Sequence, residues 1–80
     1  MLTELSVVDQ ITVLEDGQIQ VRRADKLFRD GVEIAKTYHR HVVHPGQKLD
    51  AEDARVRVVA TAIHTRAVIE AYNSAREEVL

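Results

Sequence analysis

The segment His39-Arg40-His41-Val42-Val43-His44 is the part of the chain whose side chains are best suited to chemistry. His39 and His41 stand two residues apart, so in a strand both project from one face and present their imidazoles to a common ion. A closed transition-metal site uses about four ligands, commonly completed by a carboxylate or a further His from another element. His44 has the opposite parity in a regular strand, and no acidic residue follows closely. The segment therefore reads as surface imidazoles flanking an arginine, with a pH-sensitive contact as the lesser option. No metal and no other cofactor is expected.

Arg22, Arg23, Lys26, Arg29, Lys36 and Arg40 form a basic block that a sheet would present to phosphate. Charge is uneven along the chain: residues 1–21 sum to −4, residues 22–48 to +4 and residues 49–80 to −2, for a total of −2. With a pI near 6.0, that total disfavours nucleic acid as the main partner. Phe28 shares a face with Arg22 and Lys26, but one aromatic does not make a base-stacking platform. Ser6, Ser74 and the threonines have no neighbours that would activate a nucleophile. Asp16-Gly17 and Asp30-Gly31 are turn chemistry, lacking the further glycines and following helix of a phosphate loop. No enzyme is expected.

These residues must be positioned by strands first and helices after. Leu5, Val7, Ile11 and Val13 share one parity, interrupted by Asp9, and in the next run, from Gln18, Ile19 and Val21 share a parity. A connection through Glu15-Asp16-Gly17, with Gly17 left-handed, sets Ile11 and Val13 on the face of Val21 and Ile19 and places Asp9 across from Arg23. In the second hairpin a loop of Asp30-Gly31 pairs Leu27 with Ile34, Asp25 with Lys36 and Ile19 with Val42. The opposite face then carries Arg22, Lys26, Phe28, Thr37, His39 and His41, the candidate partner-binding residues. A longer, three-residue loop is the alternative and would shift every pairing.

His44-Pro45-Gly46-Gln47-Lys48 ends the sheet, because Pro donates no ladder hydrogen bond and Gly permits a turn. Asp50, with Asp53 three places on, is a helix cap. Val56, Val59, Ala60 and Ile63 draw one helical stripe, and Val68, Ala71, Tyr72, Ala75 and Val79 a second, with Thr65 as the cap between them. The expected fold is α+β in a single domain, 1–80. It is a three-stranded antiparallel β-meander over 5–44, followed over 50–79 by one kinked or two short helices packed on one face.

A chain of 80 residues with 45% hydrophobic but only 4% aromatic residues must build a thin core of Val, Ile, Leu and Ala. It has no cysteine, so association is the expected supplement to that core. No secretion leader and no membrane-spanning run is read from it.

The stretch Ile11-Thr12-Val13-Leu14-Glu15-Asp16-Gly17-Gln18-Ile19-Gln20-Val21-Arg22 resembles a group of small uncharacterised proteins of tailed bacteriophages and prophages. So do Asp30-Gly31-Val32-Glu33-Ile34-Ala35-Lys36-Thr37-Tyr38-His39-Arg40-His41-Val42-Val43-His44-Pro45-Gly46 and Asp53-Ala54-Arg55-Val56. The resemblance runs from about Val8 to Tyr72 and implies a phage origin and a place among virion or tail components, in the virion or the bacterial host cytoplasm. It brings no catalytic or binding residues with it. The expected function is thus a non-enzymatic structural protein that docks to itself or to a larger phage structural protein, away from membranes. The alternative is a small nucleic-acid-binding or regulatory protein using the block 22–48.

Overall fold

The computed structural model describes the backbone of residues 1–79 and the side-chain surroundings of residues 1–76. Three antiparallel strands, β1 (Leu2–Val13), β2 (Ile19–Arg29) and β3 (Val32–Val43), form one sheet in the order β1-β2-β3. Two helices follow, α1 (Ala54–Ile63) and α2 (Arg66–Val79), so the architecture is α+β. The molecule is elongated, 53 × 23 × 18 Å, because the helices cover only the end of the sheet near Ile19 and Val43. The other end is a bare three-stranded blade.

The first hairpin turns through Glu15-Asp16-Gly17. Leu14 N–H donates to the Gln18 carbonyl at 2.8 Å, Gly17 N–H donates to the Leu14 carbonyl at 3.0 Å, and Gly17 has φ of 94°. Ile11 pairs with Val21 and Val13 with Ile19, as the parity of the two runs requires. Asp9, however, does not face Arg23. Val8 pairs with Arg23 and Gln10 with Arg22, leaving Asp9 as an extra residue in a bulge. The shift reverses parity upstream, so Leu5 and Val7 lie on the opposite face from Ile11 and Val13, and Val8 enters the core instead. Asp9 uses its position to grip Arg22 with both carboxylate oxygens, each at 2.9 Å.

The second hairpin does turn on Asp30-Gly31, with φ of 50° and 84° at the two residues. Its expected register fails two residue pairs later. Arg29 pairs with Val32 and Phe28 with Glu33, but Leu27 pairs with Ala35, so Ile34 is the extra residue of a second bulge. Beyond it Lys26 faces Lys36, Asp25 faces Thr37 and Ile19 faces Val43, where Ile34, Lys36 and Val42 were expected opposite Leu27, Asp25 and Ile19. Val42 and Val43 are chemically alike, so local sequence gave no reason to prefer one. The bulge decides it, burying Val43 completely and leaving Val42 39% exposed.

The core is the cluster Val8, Ile19, Val21, Val43, Val56 and Ala60, flanked by Ile11, Leu49 and Val59. The helix α1 contributes Val56 and Ala60, one turn apart on its buried stripe. Its cap is Asp53 rather than Asp50: the Asp53 carboxylate accepts from Arg55 N–H at 2.9 Å. Thr65 caps α2 as expected, its hydroxyl accepting from Val68 N–H at 3.3 Å. On α2 the half-buried residues are Val68, Ile69 and Tyr72, while Ala71 and Ala75 are exposed; the expected stripe omitted Ile69, and the Val79 side chain lies outside the described residues. The first turn of α2 packs so closely on the hairpin that a Cβ on Gly17 would meet Val68 Cγ1 at 2.5 Å. His64 ties the same corner, its Nε2–H donating to the Gly17 carbonyl at 2.7 Å. Among the described residues no helix is long and apolar enough to cross a membrane.

Candidate interaction surface

The two bulges determine which side chains share a face. Even-numbered residues of β2 and of the bulge-shifted part of β3 lie together on the face without helices: Arg22 opposite Arg40, Ala24 opposite Tyr38, Lys26 opposite Lys36. Odd-numbered residues lie on the helix-bearing face: Val21 opposite His41, Arg23 opposite His39, Asp25 opposite Thr37. The six candidate partner-binding residues are therefore split. Arg22, Lys26 and Phe28 are on the helix-free face, and Thr37, His39 and His41 are on the other, because a shift of one residue turns every side chain of β3 over.

On the helix-bearing face, beyond the edge of α1, the histidines meet carboxylates that are distant in sequence. His39 Nε2 lies 3.0 Å from Asp25 Oδ2, and His41 Nε2 lies 2.7 Å from Glu52 Oε1. Asp25 also accepts from the Ser6 hydroxyl at 2.7 Å and from Arg23 at 2.9 and 3.1 Å. The Arg23 guanidinium, with Ser6, holds the Asp25 carboxyl below its ordinary value. Ser6, Asp25 and His39 are thus in contact, but the carboxylate sits between hydroxyl and imidazole. General-base activation needs the imidazole on the hydroxyl. The contacts link all three strands across one face. Among the described residues no three His, Cys, Asp or Glu side chains converge as a metal site. His44, at the end of β3, stacks on Tyr72 with ring centroids 5.9 Å apart and its Nδ1 3.0 Å from the hydroxyl, so it joins β3 to α2.

The helix-free face is organised around Tyr38. The Arg22 guanidinium lies 4.4 Å from the ring centroid, Arg40 5.7 Å and the Lys36 ammonium 5.9 Å. Ala24 beneath is fully buried with no helix above it. The Arg22 guanidinium holds the Asp9 carboxyl below its ordinary value, and Asp9 in turn raises Arg22. Exposed Leu5 and Val42 share this face, as does half-buried Val7. Tyr38, Lys36 and Arg40 were missed as companions of Arg22 because the expected register put them on the helix side. The signal available was the alternation Lys36-Tyr38-Arg40-Val42, which is self-consistent as one strand face, read beside Arg22-Ala24-Lys26.

The blade end exposes a further apolar set: Leu2 is 57%, Leu5 51%, Val32 64% and Ile34 48% accessible. All of β3 from Val32 to Val42 is exposed, and both β1 and β3 are edge strands. Comparison of the chain with protein-family models, with curated proteins and with solved structures finds no match.

Proposed function

We propose that the protein is a non-enzymatic docking component, a small virion- or tail-associated subunit of a bacteriophage, that acts by contact with copies of itself or with a larger structural protein. The observation that carries the docking part is the bare blade: a sheet end open at both edges, with Leu2, Leu5, Val32 and Ile34 exposed on it, extends beyond the part that the helices cover. Exposed edges and apolar patches of this kind are what strand addition and sheet-face association use. The phage context is supported by the resemblance of residues 11–22 and 30–46 described above. Sedimentation of the isolated protein and a mass-spectrometric inventory of purified particles test the reading together. Self-association, or presence in particles, is expected, and Phe28→Asp weakens it. A wild-type monomer at high concentration that is also absent from particles refutes it.

A second reading, a small nucleic-acid-binding or regulatory protein, is favoured by the four cations that share one face with Tyr38, three of them over its ring. Retention on single-stranded DNA or RNA that falls steeply with salt is its expected signature.

A further inference from the structure

Two of the five β2–β3 rungs on the helix-free face oppose like charges directly: Arg22 faces Arg40 and Lys26 faces Lys36, with Ala24 and Tyr38 between. Like charges opposite one another on a strand pair work against folding. Relief within the chain is incomplete. Asp9 chelates Arg22 at 2.9 Å and Glu33 lies 3.6 Å from Lys36. Among the described residues no carboxylate pairs with Lys26 or Arg40. Four cations thus stand against two carboxylates on the helix-free face, three of them within 5.9 Å of the ring of a tyrosine that is 40% accessible. An arrangement that destabilises the free protein and is mended by added negative charge has the character of a binding site.

We infer that the Arg22–Arg40 and Lys26–Lys36 rungs, with Tyr38, form the docking site for an acidic surface of a partner protein. The inference rests on the docking function proposed above and names the partner's chemistry. Three observations favour a protein over a nucleic acid. The Arg22 guanidinium already covers the Tyr38 ring, leaving a poor platform for a base. Exposed Leu5, beside Lys26 on one edge strand, and Val42, beyond Arg40 on the other, suit apolar contacts that flank the ion pairs. The chain's net charge of −2 opposes a polyanion that runs past the whole molecule, whereas an acidic patch on a folded partner meets this face alone. Arg and Tyr are also the side chains that most often carry binding energy between proteins. The charged rungs lie four residues apart along each strand, about 13 Å at roughly 3.3 Å per residue. A helix presents carboxylates at about that separation when they are eight residues apart, at 1.5 Å per residue.

The probe is a 20-residue helical peptide carrying Glu pairs eight residues apart with Leu between them; a scrambled peptide of the same composition and a 20-mer of thymidylate serve as comparators. The spaced peptide is expected to bind at least tenfold more tightly than the scrambled one. Lys26→Gln and Arg40→Gln should each reduce that affinity at least fivefold. Lys26→Gln, which breaks no ion pair and gives up only a weaker, longer-range attraction to Asp9, should also raise the thermal midpoint of the free protein at low salt, with the gain vanishing at high salt. Equal binding of both peptides, or a lowered midpoint in Lys26→Gln, overturns the inference. Tighter binding of thymidylate than of the spaced peptide, lost in the same variants, overturns it in favour of a nucleic-acid surface. If the protein self-associates or enters particles and both variants do so undiminished, the docking function stands and this face is not its site.

Discussion

Gly17 and Gly31 form a matched experiment on how the helices are held to the sheet. Both follow an aspartate in a hairpin turn and both have left-handed backbones, with φ of 94° and 84°. A Cβ at Gly31 meets nothing within 4 Å, whereas at Gly17 it meets Val68 Cγ1 at 2.5 Å and Pro45 Cγ at 3.2 Å. Alanine at either site incurs left-handed strain of about 1 kcal/mol. At Gly17 the added methyl also forces apart a corner where the β-branched Val68 has little rotamer freedom, an overpacking cost of about 2 kcal/mol. Gly17→Ala should therefore destabilise by about 3 kcal/mol and Gly31→Ala by about 1 kcal/mol. For a domain of this size the difference corresponds to a thermal midpoint lower by about 8–16 °C. Equilibrium urea unfolding followed by circular dichroism measures both variants on one scale. Agreement between them to within about 0.5 kcal/mol, the scatter of an ordinary surface change, would refute the seating of α2 on the first hairpin.

The remaining expectations are direct. Val56→Ala, at a fully buried position of α1, should cost about 2 kcal/mol in the same assay; a cost near zero would mean that α1 does not pack on the sheet. Asp9, Asp16 and Asp25 all have carboxyls held below the ordinary value of 3.8. Their stabilising contribution is accordingly complete above that value and lost as pH falls through and below it, and Asp9→Asn should flatten part of the acid limb of a midpoint-against-pH curve. Hα–Hα contacts between the strands in nuclear magnetic resonance spectra should join Gln20 with Val42, the non-hydrogen-bonded rung beside Ile19 and Val43, with Ile34 unpaired; a contact of Gln20 with His41, diagnostic of Ile19 opposite Val42, would refute the second bulge. Thr65→Ala should cost about 1 kcal/mol through loss of the α2 cap.

Turns and helices were legible because their signals are local. Asp30-Gly31 demands two positive φ angles, Pro45-Gly46 ends a strand, and Val56, Val59, Ala60 and Ile63 can only line up on a helix. The registers were not legible in the same way. At Asp9 the interruption of the apolar row was visible, but a charged residue in an otherwise regular strand and an extra residue in a bulge look alike in one dimension. At Ile34 nothing interrupts the row at all. A bulge is selected by what lies at the far end of the strand, here by Val43 rather than Val42 beneath α1, and that preference is tertiary. The surface inherits the error: Tyr38 came to be separated from Arg22, and His39 and His41 were grouped with it. Asp25 and Glu52, the carboxylates that the histidines meet, reach them only through strand pairing and the approach of the helical segment.

Partial cover by the helices gives the sheet a gradient of opening along its own length. Near Ile19 and Val43 a strand cannot separate without releasing α1 and exposing the whole core, so amides there exchange with solvent only when the molecule unfolds globally. Toward Asp30-Gly31 the same strands are held by cross-strand contacts alone, and they open from the tip at a far smaller cost. Protection against hydrogen exchange should then decline along β2 from Ile19 to Arg29, although both of its sides are hydrogen-bonded throughout. A partner seated on the blade would flatten that slope from the tip inward while leaving the slow amides unchanged, so the exchange profile of β2 locates the occupied part of the sheet without a label or a substitution.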